Sequence, residues 1–116
     1  MLINLTPHKI TIRTADGESQ IPPSGMIVRL PSRTELLHNL EIQGGLRVPV
    51  VQQRYTVPEL PPVQEGVFYI ASSLVAQQAA AIGRRDVLAP DTGPESAIRD
   101  ANGNIVAVSR LQTFAG

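Results

Sequence analysis

The stretch VFYIASSLVAQQAAAIGRRDVLAP, residues 67–90, decides the fold, because it contains the only long helix that the sequence supports. Its first four residues are β-branched or aromatic and follow a run of prolines and a glycine, which predicts a short buried strand. The chain then runs without proline to Gly83, which offers a C-cap, while Ser72 or Ser73 can cap the first free amides. The stretch therefore predicts a strand that turns directly into a helix over residues 72–83.

One face of this helix carries small apolar side chains at helical spacing, namely Ala71, Val75, Ala79 and Ile82. So narrow a face suits close packing on a sheet or on a second copy of the chain. The residues directly after the helix, Arg84, Arg85 and Asp86, form the densest group of charge in the sequence.

The length of 116 residues predicts one domain, residues 1–116, with a single core. The chain has no cysteine, which excludes disulfides and thiolate metal sites and suits a reducing cytoplasm. The N-terminal residues lack the pattern of a targeting signal, and no uninterrupted apolar run approaches about 18 residues. We therefore expect a soluble, untargeted protein of a reducing cytoplasm that does not enter membranes.

Ten basic and ten acidic residues give zero net charge, which argues against long nucleic acid as a ligand. Nine of the ten basic residues are arginine, whose planar guanidinium suits bidentate contact with phosphate, although genomic base composition explains the bias equally well. Only four residues are aromatic, so the core is lean for a chain with ten prolines. A lean core predicts that oligomerisation contributes to stability.

The remainder of the chain predicts mainly strands. Two extended pieces meet at residues 6–8, Asp16-Gly17 marks a hairpin turn, and residues 26–30 form a third strand. Residues 32–42 fit either a short helix or a long irregular strand, and the sequence leaves both open. Further strands are predicted at residues 46–57, 96–99 and 105–111. The fold class is therefore α+β, with a mainly antiparallel sheet of about six strands, one principal helix and a second short helix as an alternative at residues 32–42.

Motifs of hydrolytic and redox catalysis are missing. The two histidines, His8 and His38, lack the spacing of metal ligands, and no phosphate-binding glycine loop or nucleophile elbow occurs. We therefore predict no catalytic residue, no metal and no cofactor.

Arginines at ordered positions remain as candidates for function: Arg29 in a strand, Arg84 and Arg85 after the helix, and Arg99 before a hairpin. They can bind phosphates, and Asp86 or Asp100 can accept hydrogen bonds from a ribose or an adenine amine. Structural ion pairs among these residues explain the pattern slightly better. A small anionic ligand is thus permitted by the residues but not required.

The order of short motifs along the chain resembles a family of small phage proteins. These motifs are Asn4-Leu5-Thr6-Pro7-His8, Pro23-Ser24-Gly25 with Val28-Arg29, Gly66-x-x-Tyr69-Ile70-x-Ser72, Gly83-Arg84-x-Asp86, and Ile98-Arg99-Asp100-x-x-Gly103. The family is that of the Thoeris anti-defence proteins of the first type, which act as nucleotide sponges. The resemblance covers nearly the whole chain through motifs that are individually short.

The resemblance implies a function without catalysis in the cytoplasm of the bacterial host cell. Members of the family bind cyclic ADP-ribose signals made by Thoeris TIR-domain proteins and hold them intact, and some also sequester the cyclic di- and trinucleotides of CBASS defence at separate sites. They are dimers assembled into a hexamer, with signal sites between protomers. The residues expected to contact ligand here are Val28, Arg29, Gly83, Arg84 and Arg99. Ser73 or Leu74 occupies the position where an aromatic side chain that stacks on adenine is expected.

Three classes of function follow from these observations. The first is a sponge that binds cyclic nucleotides as a homo-oligomer, the second is a non-catalytic structural or interaction protein of a phage, and the third is a small cyclic-nucleotide phosphodiesterase.

Overall fold

The computed structural model describes all residues, 1–116, and contains ten strands and one α-helix. The fold class is α+β, as predicted, but the sheets are mixed rather than mainly antiparallel, and there are about ten strands rather than six. The elements in chain order are β1 (Leu2–Asn4), β2 (Ile10–Thr14), β3 (Gly17–Ile21), β4 (Ser32–Glu41), β5 (Arg47–Tyr55), β6 (Phe68–Ile70), α1 (Ser73–Ala81), β7 (Val87–Pro90), β8 (Ala97–Arg99), β9 (Ile105–Val108) and β10 (Leu111–Gln112).

The first sheet is built around the stretch that the sequence singled out. Strand β6 leads into α1, and the chain returns as β7 parallel to β6, while β1 pairs in parallel with the other side of β6. The expectation of an antiparallel arrangement was wrong here, because a helical crossover joins parallel neighbours. The strand order is β1-β6-β7-β10, and only β10 runs antiparallel to its neighbour.

The helix ends as its sequence predicts. The Ser72 hydroxyl accepts a hydrogen bond from the Val75 amide at 3.3 Å and caps the N-terminus. At the C-terminus, Gly83 has φ +89°, and the Arg84 amide donates to the Ala79 carbonyl at 2.9 Å. A positive φ strains other residues, so glycine closes this end at little cost.

The helix packs on the first sheet through a narrow face. Val75, Ala76 and Ala79 are buried. Ile82 is 48% exposed, so the prediction that it belongs to this face was wrong. Ile82 is the C-cap and lies beyond the last helical residue, Ala81. The core cluster comprises Leu5, Tyr69, Ala71, Val75, Ala76, Ala79, Val87 and Ala89.

The second sheet has the strand order β3-β2-β9-β8 and contains the two predicted hairpins, β2/β3 and β8/β9. Strands β2 and β9 pair in parallel. The predicted single strand at residues 105–111 is in fact two strands. The Ser96 hydroxyl accepts hydrogen bonds from the amides of Ser109 and Arg110 at 3.1 and 3.0 Å, and the chain leaves the second sheet there and joins the first as β10.

Residues 26–30 are extended but do not form the predicted strand. The Val28 amide donates to the Leu5 carbonyl at 3.1 Å, which is the only hydrogen bond between backbone groups that anchors the segment. A single hydrogen bond does not make a β-ladder, so the segment is an extended connection across the end of the first sheet.

Strands β4 and β5 form a two-stranded ribbon, residues 32–55, which we call the arm. This decides the open choice at residues 32–42 in favour of a strand. The turn at the tip is a 3-10 helix, Gln43–Gly45. The arm contributes to a radius of gyration of 17.7 Å and a longest dimension of 56 Å, whereas a compact chain of this length has a radius of about 13 Å.

The structure contains no helix with the length and apolar character needed to cross a membrane.

Candidate ligand site

An open cavity of about 420 Å³ lies at the N-terminal end of α1. Its volume is within the range of small-molecule sites, about 300–1,000 Å³. Three separate stretches of the chain form its wall, and each contains at least one residue of a motif that the sequence singled out. The lining residues are Leu5, Thr6 and Pro7; Ile27, Val28, Arg29 and Leu30; and Ser72, Leu74 and Val75.

A buried asparagine fixes the first of these stretches. The Asn4 side-chain amide donates to the carbonyls of His8 at 2.7 Å and Ile21 at 3.1 Å. Its side-chain oxygen accepts from the Thr6 amide at 2.9 Å and from the Thr6 hydroxyl at 2.7 Å. Asn4 is 1% exposed, so these four bonds satisfy a polar group that would be costly to bury alone. The turn at residues 4–8 is therefore held rigidly beside the cavity.

The second stretch is tied to the same asparagine through its backbone. The Ser24 amide and hydroxyl both donate to the Asn4 carbonyl, at 3.0 and 2.7 Å. Gly25 follows with φ +93°, a conformation that favours glycine, and turns the chain toward Val28. The Pro23-Ser24-Gly25 motif thus sets the course of the segment that carries Arg29.

The third stretch presents backbone amides. The first hydrogen bond within the helix runs from the Ala76 amide to the Ser72 carbonyl, and the Ser72 hydroxyl takes the Val75 amide. The amides of Ser73 and Leu74 make no hydrogen bond within the protein. Free amides and the helix dipole together favour a negative charge at this end of a helix.

Arg29 supplies a positive charge at the same cavity. Its guanidinium is exposed and forms neither an ion pair nor a hydrogen bond with the protein. Ile27, Val28 and Arg29 also line an adjoining cavity of about 290 Å³ at the base of the arm, together with Pro31, Thr56, Val57 and Glu59. An anion at the N-terminal end of α1 therefore has Arg29 nearby, and the Arg29 guanidinium contacts no carboxylate of the protein.

Arg84 and Asp86 occupy the opposite end of α1 and pair with each other. The Arg84 Nε and Nη2 atoms donate to the two Asp86 carboxylate oxygens, each at 2.9 Å, and Nη2 also donates to the Pro61 carbonyl at 2.8 Å. The side chains are only 17% and 11% exposed. The hydrogen bond from Arg84 lowers the pKa of Asp86, against a smaller opposing effect of burial, and the same bond raises the pKa of Arg84.

The structure therefore brings together part of the predicted site. Val28, Arg29 and Leu74 line one cavity, and Ser73 lies in the sequence between two of its lining residues, Ser72 and Leu74. Gly83, Arg84 and Asp86 lie at the other end of the nine-residue helix, about 13 Å away at 1.5 Å per residue. Arg99 belongs to the second sheet, where its guanidinium donates to the Gly103 carbonyl.

Sequence reasoning assigned no role to several residues that build the cavity. Thr6, Pro7 and Ser72 all stand in the short motifs, and Ser72 is also a candidate cap, but the sequence does not indicate that they line a cavity. The buried Asn4 carried one signal, since an asparagine followed two residues later by threonine is typical of a side chain that bonds its own backbone. Its partner at Ile21 is distant in sequence and gave no signal.

No three His, Asp or Glu side chains lie together in the arrangement that a metal ion requires. The cavity at α1 contains no carboxylate and no histidine. Its polar groups are hydrogen-bond donors and hydroxyls, and its remaining wall is aliphatic. This donor set is complementary to an anion.

Comparison with known proteins gives no matching family model, no matching curated protein and no matching solved structure.

Proposed function

We propose that this protein is a phage or prophage anti-defence sponge, which binds cyclic nucleotide immune signals and holds them without cleaving them. The proposed ligands are cyclic ADP-ribose isomers of Thoeris defence, with CBASS cyclic di- and trinucleotides as ligands at separate sites. The observation that carries the proposal is the convergence of three motif stretches, around residues 4–8, 23–29 and 72–75, on one cavity with anion-binding groups. In the proposed function the protein acts as a homo-oligomer, a hexamer built from dimers.

The chemistry of the cavity fits such a ligand in two parts. The free amides of Ser73 and Leu74 and the guanidinium of Arg29 favour a pyrophosphate or phosphodiester. Ile27, Val28 and Leu74 offer an aliphatic surface for a base. No aromatic side chain lines the cavity, so the base packs on aliphatic groups rather than on a stacking ring.

The experiment that tests the proposal measures retention and chemical fate together. The protein is incubated with a cyclic ADP-ribose isomer, separated from free nucleotide, denatured, and the released material is identified by chromatography. Intact ligand at a fixed ratio to protein supports the sponge. Conversion to a linear product supports a phosphodiesterase, and no retention of any tested cyclic nucleotide refutes the proposal.

A titration separates sequestration from slow turnover. Protein is added in several substoichiometric amounts to a fixed amount of signal, and free signal is followed with time. A sponge leaves a plateau whose height falls in proportion to protein, because each site removes one molecule. A continuing decline toward zero at every protein concentration contradicts the proposal.

A second candidate is a non-catalytic structural or interaction protein of a phage. The arm favours it, because a long ribbon with exposed leucines and two unpaired edges is a surface that proteins use to bind one another. The retention experiment distinguishes the two candidates, since an interaction protein has no reason to hold a cyclic nucleotide.

A further inference from the structure

The arm leaves a long strand edge without a partner. Strand β4 spans ten residues and pairs only with β5, and the two strands form a separate sheet. Every residue of β4 is exposed, including Leu36 at 61%, Leu37 at 53% and Leu40 at 50%. An isolated two-stranded ribbon is marginally stable, and a long apolar edge is a template for another strand.

The two edges of the arm are not equally available. Pro49 of β5 faces Asn39, and proline has no amide hydrogen to offer. At the tip of the arm the Ile42 amide bonds to the Leu46 carbonyl, so these two residues are a hydrogen-bonded pair. Hydrogen-bonded and non-hydrogen-bonded pairs alternate along an antiparallel ladder, and residue 49 therefore directs its backbone groups away from β4. The outer edge of β5 is therefore interrupted by a proline near the tip of the arm, whereas β4 contains no proline.

The hydrogen-bonding groups of the free β4 edge follow from the same alternation. At the base of the arm the Thr56 amide bonds to the Pro31 carbonyl, so Ser32, Thr34 and Leu36 direct their backbone groups outward. A bulge between Leu36 and His38 adds one residue and changes the parity. Beyond it the outward residues are Asn39 and Glu41.

We propose that β4 pairs antiparallel with β4 of a second copy of this chain, around a two-fold axis between Leu36 and Leu37. In this register Ser32 faces Glu41 of the second copy and Thr34 faces Asn39, and all four residues direct their backbone groups outward. The bulge makes this register possible. Without it, each β4 residue that directs its backbone groups outward would face, in the same register, a residue of the second copy that directs them inward. The product is a continuous four-stranded sheet, β5-β4-β4-β5.

The side chains are complementary in this register. Glu35 of one copy faces His38 of the other, the two leucines at the axis face each other, and no two like charges are opposite. Arg33 faces Leu40, over which its aliphatic stem can lie. By symmetry each rung occurs twice, which gives about eight backbone hydrogen bonds over a strand about 33 Å long.

A second copy fits better than an unrelated partner because the edge is complementary to itself. Contact of the exposed leucines across the axis, together with cover of Leu40 by the aliphatic stem of Arg33, adds apolar burial to the backbone hydrogen bonds of the seam. A strand from an unrelated protein is not related to β4 by symmetry, so nothing requires its backbone groups to match this edge. The inference does not depend on the proposed ligand.

A matched pair of proline variants tests the assignment of the edge. Thr34 and Gln53 face each other across the ribbon, and each directs its amide away from its neighbour. Thr34→Pro blocks the β4 edge and Gln53→Pro blocks the β5 edge at the same rung. Sedimentation velocity over a range of concentrations should show at least a tenfold rise in the dimer dissociation constant for Thr34→Pro, with Gln53→Pro close to the parent. Equal weakening by both variants, or a parent that is monomeric at high micromolar concentration, overturns the proposal.

A cysteine pair tests the register without weakening the strand. The chain has no cysteine, so Glu35→Cys combined with His38→Cys introduces the only two. On one strand these positions are about 10 Å apart, too far for an internal disulfide. Across the proposed axis they form close opposite pairs, so oxidation should give a dimer on a non-reducing gel. Either single variant should stay uncrosslinked, while a mixture of the two should form a heterodimer. Absence of crosslinking in the double variant and in the mixture overturns the register, and strong crosslinking of a single variant does the same.

Discussion

Replacement of Arg84 by alanine should destabilise the fold. The guanidinium makes three hydrogen bonds, two to the Asp86 carboxylate and one to the Pro61 carbonyl, and both side chains of the pair are at least four-fifths buried. Removal of one partner leaves the other charge poorly solvated, which costs about 3–5 kcal/mol for a fully buried pair. Because this pair keeps some contact with solvent, we expect about 2–3 kcal/mol, or roughly an 8–12 °C lower Tm for a domain of this size.

The effect should depend on pH in a defined direction. Arg84 holds the pKa of Asp86 below its ordinary value of 3.8, so the pair contributes stability that is present above that value and is lost as the pH falls through the lowered pKa. In Arg84→Ala the burial of Asp86, which raises its pKa, loses its main opposing effect. The difference in unfolding free energy between parent and variant should therefore be largest near neutral pH and should shrink below about pH 4.

Urea unfolding at a series of pH values measures both quantities. Arg13→Ala is the matched control, because Arg13 also pairs with a carboxylate, that of Glu18, but at an exposed site with the side chains 44% and 40% accessible. Its midpoint should stay close to that of the parent. If Arg84→Ala unfolds at the parent midpoint and instead loses nucleotide, Arg84 is a ligand contact and the structural reading is wrong.

Three further substitutions test the site and its support. Arg29→Ala should weaken retention of a cyclic nucleotide roughly ten- to a hundredfold with an unchanged Tm, because Arg29 bonds to nothing in the protein; equal weakening in Arg13→Ala would show a non-specific charge effect. Asn4→Ala should lower the unfolding free energy by about 2–3 kcal/mol, since four hydrogen bonds are lost, whereas Asn104→Ala, at an exposed side chain without such bonds, should not. Gly83→Ala, at φ +89°, should cost about 1–2 kcal/mol, and Gly116→Ala should cost nothing measurable by the same urea titration.

The sequence predicted those elements whose determinants are local. The helix at residues 72–83 was predicted because its cap, its spacing and its terminal glycine lie within thirteen residues, and the helix in the structure, Ser73–Ala81, agrees within two residues at its ends. The two tight hairpins were predicted for the same reason. A local pattern is enough when the hydrogen-bond partners are also local.

Pairing between distant segments was not predictable in this way. Strand β1 pairs with β6 across more than sixty residues of sequence, with Leu2 opposite Phe68. Neither segment contains a sequence pattern that identifies the other as its partner. The break before β10 depends on the hydroxyl of Ser96. In β4, leucines at helical spacing compete with a strand pattern, and pairing with β5 decides between them.

The candidate site was predictable only in part, for a related reason. For Arg84 the sequence already favoured a structural ion pair, because Asp86 follows two residues later, and the structure confirms that pair. Arg29 has no carboxylate close to it in the sequence and forms no ion pair in the structure. What the sequence did not supply is the set of distant residues that share a cavity with Arg29.

The cavity of one chain has too few hydrogen-bond donors for the tight binding that a sponge needs. This links the proposed function to assembly. A protein that does not turn over its ligand must bind it well below the working concentration, and nanomolar binding requires about 12 kcal/mol. One guanidinium and two helix amides supply only part of that, at about 1.5–3 kcal/mol for each bond to a charged group. The cavity is open, and the adjoining one at the base of the arm shares Arg29 with it. The proposed function therefore requires further donors, which a second copy placed against this surface would supply. If the sponge is correct, Thr34→Pro should either leave affinity unchanged, which places the completing contact elsewhere in the oligomer, or weaken it in step with dimer dissociation, which places it across the arm.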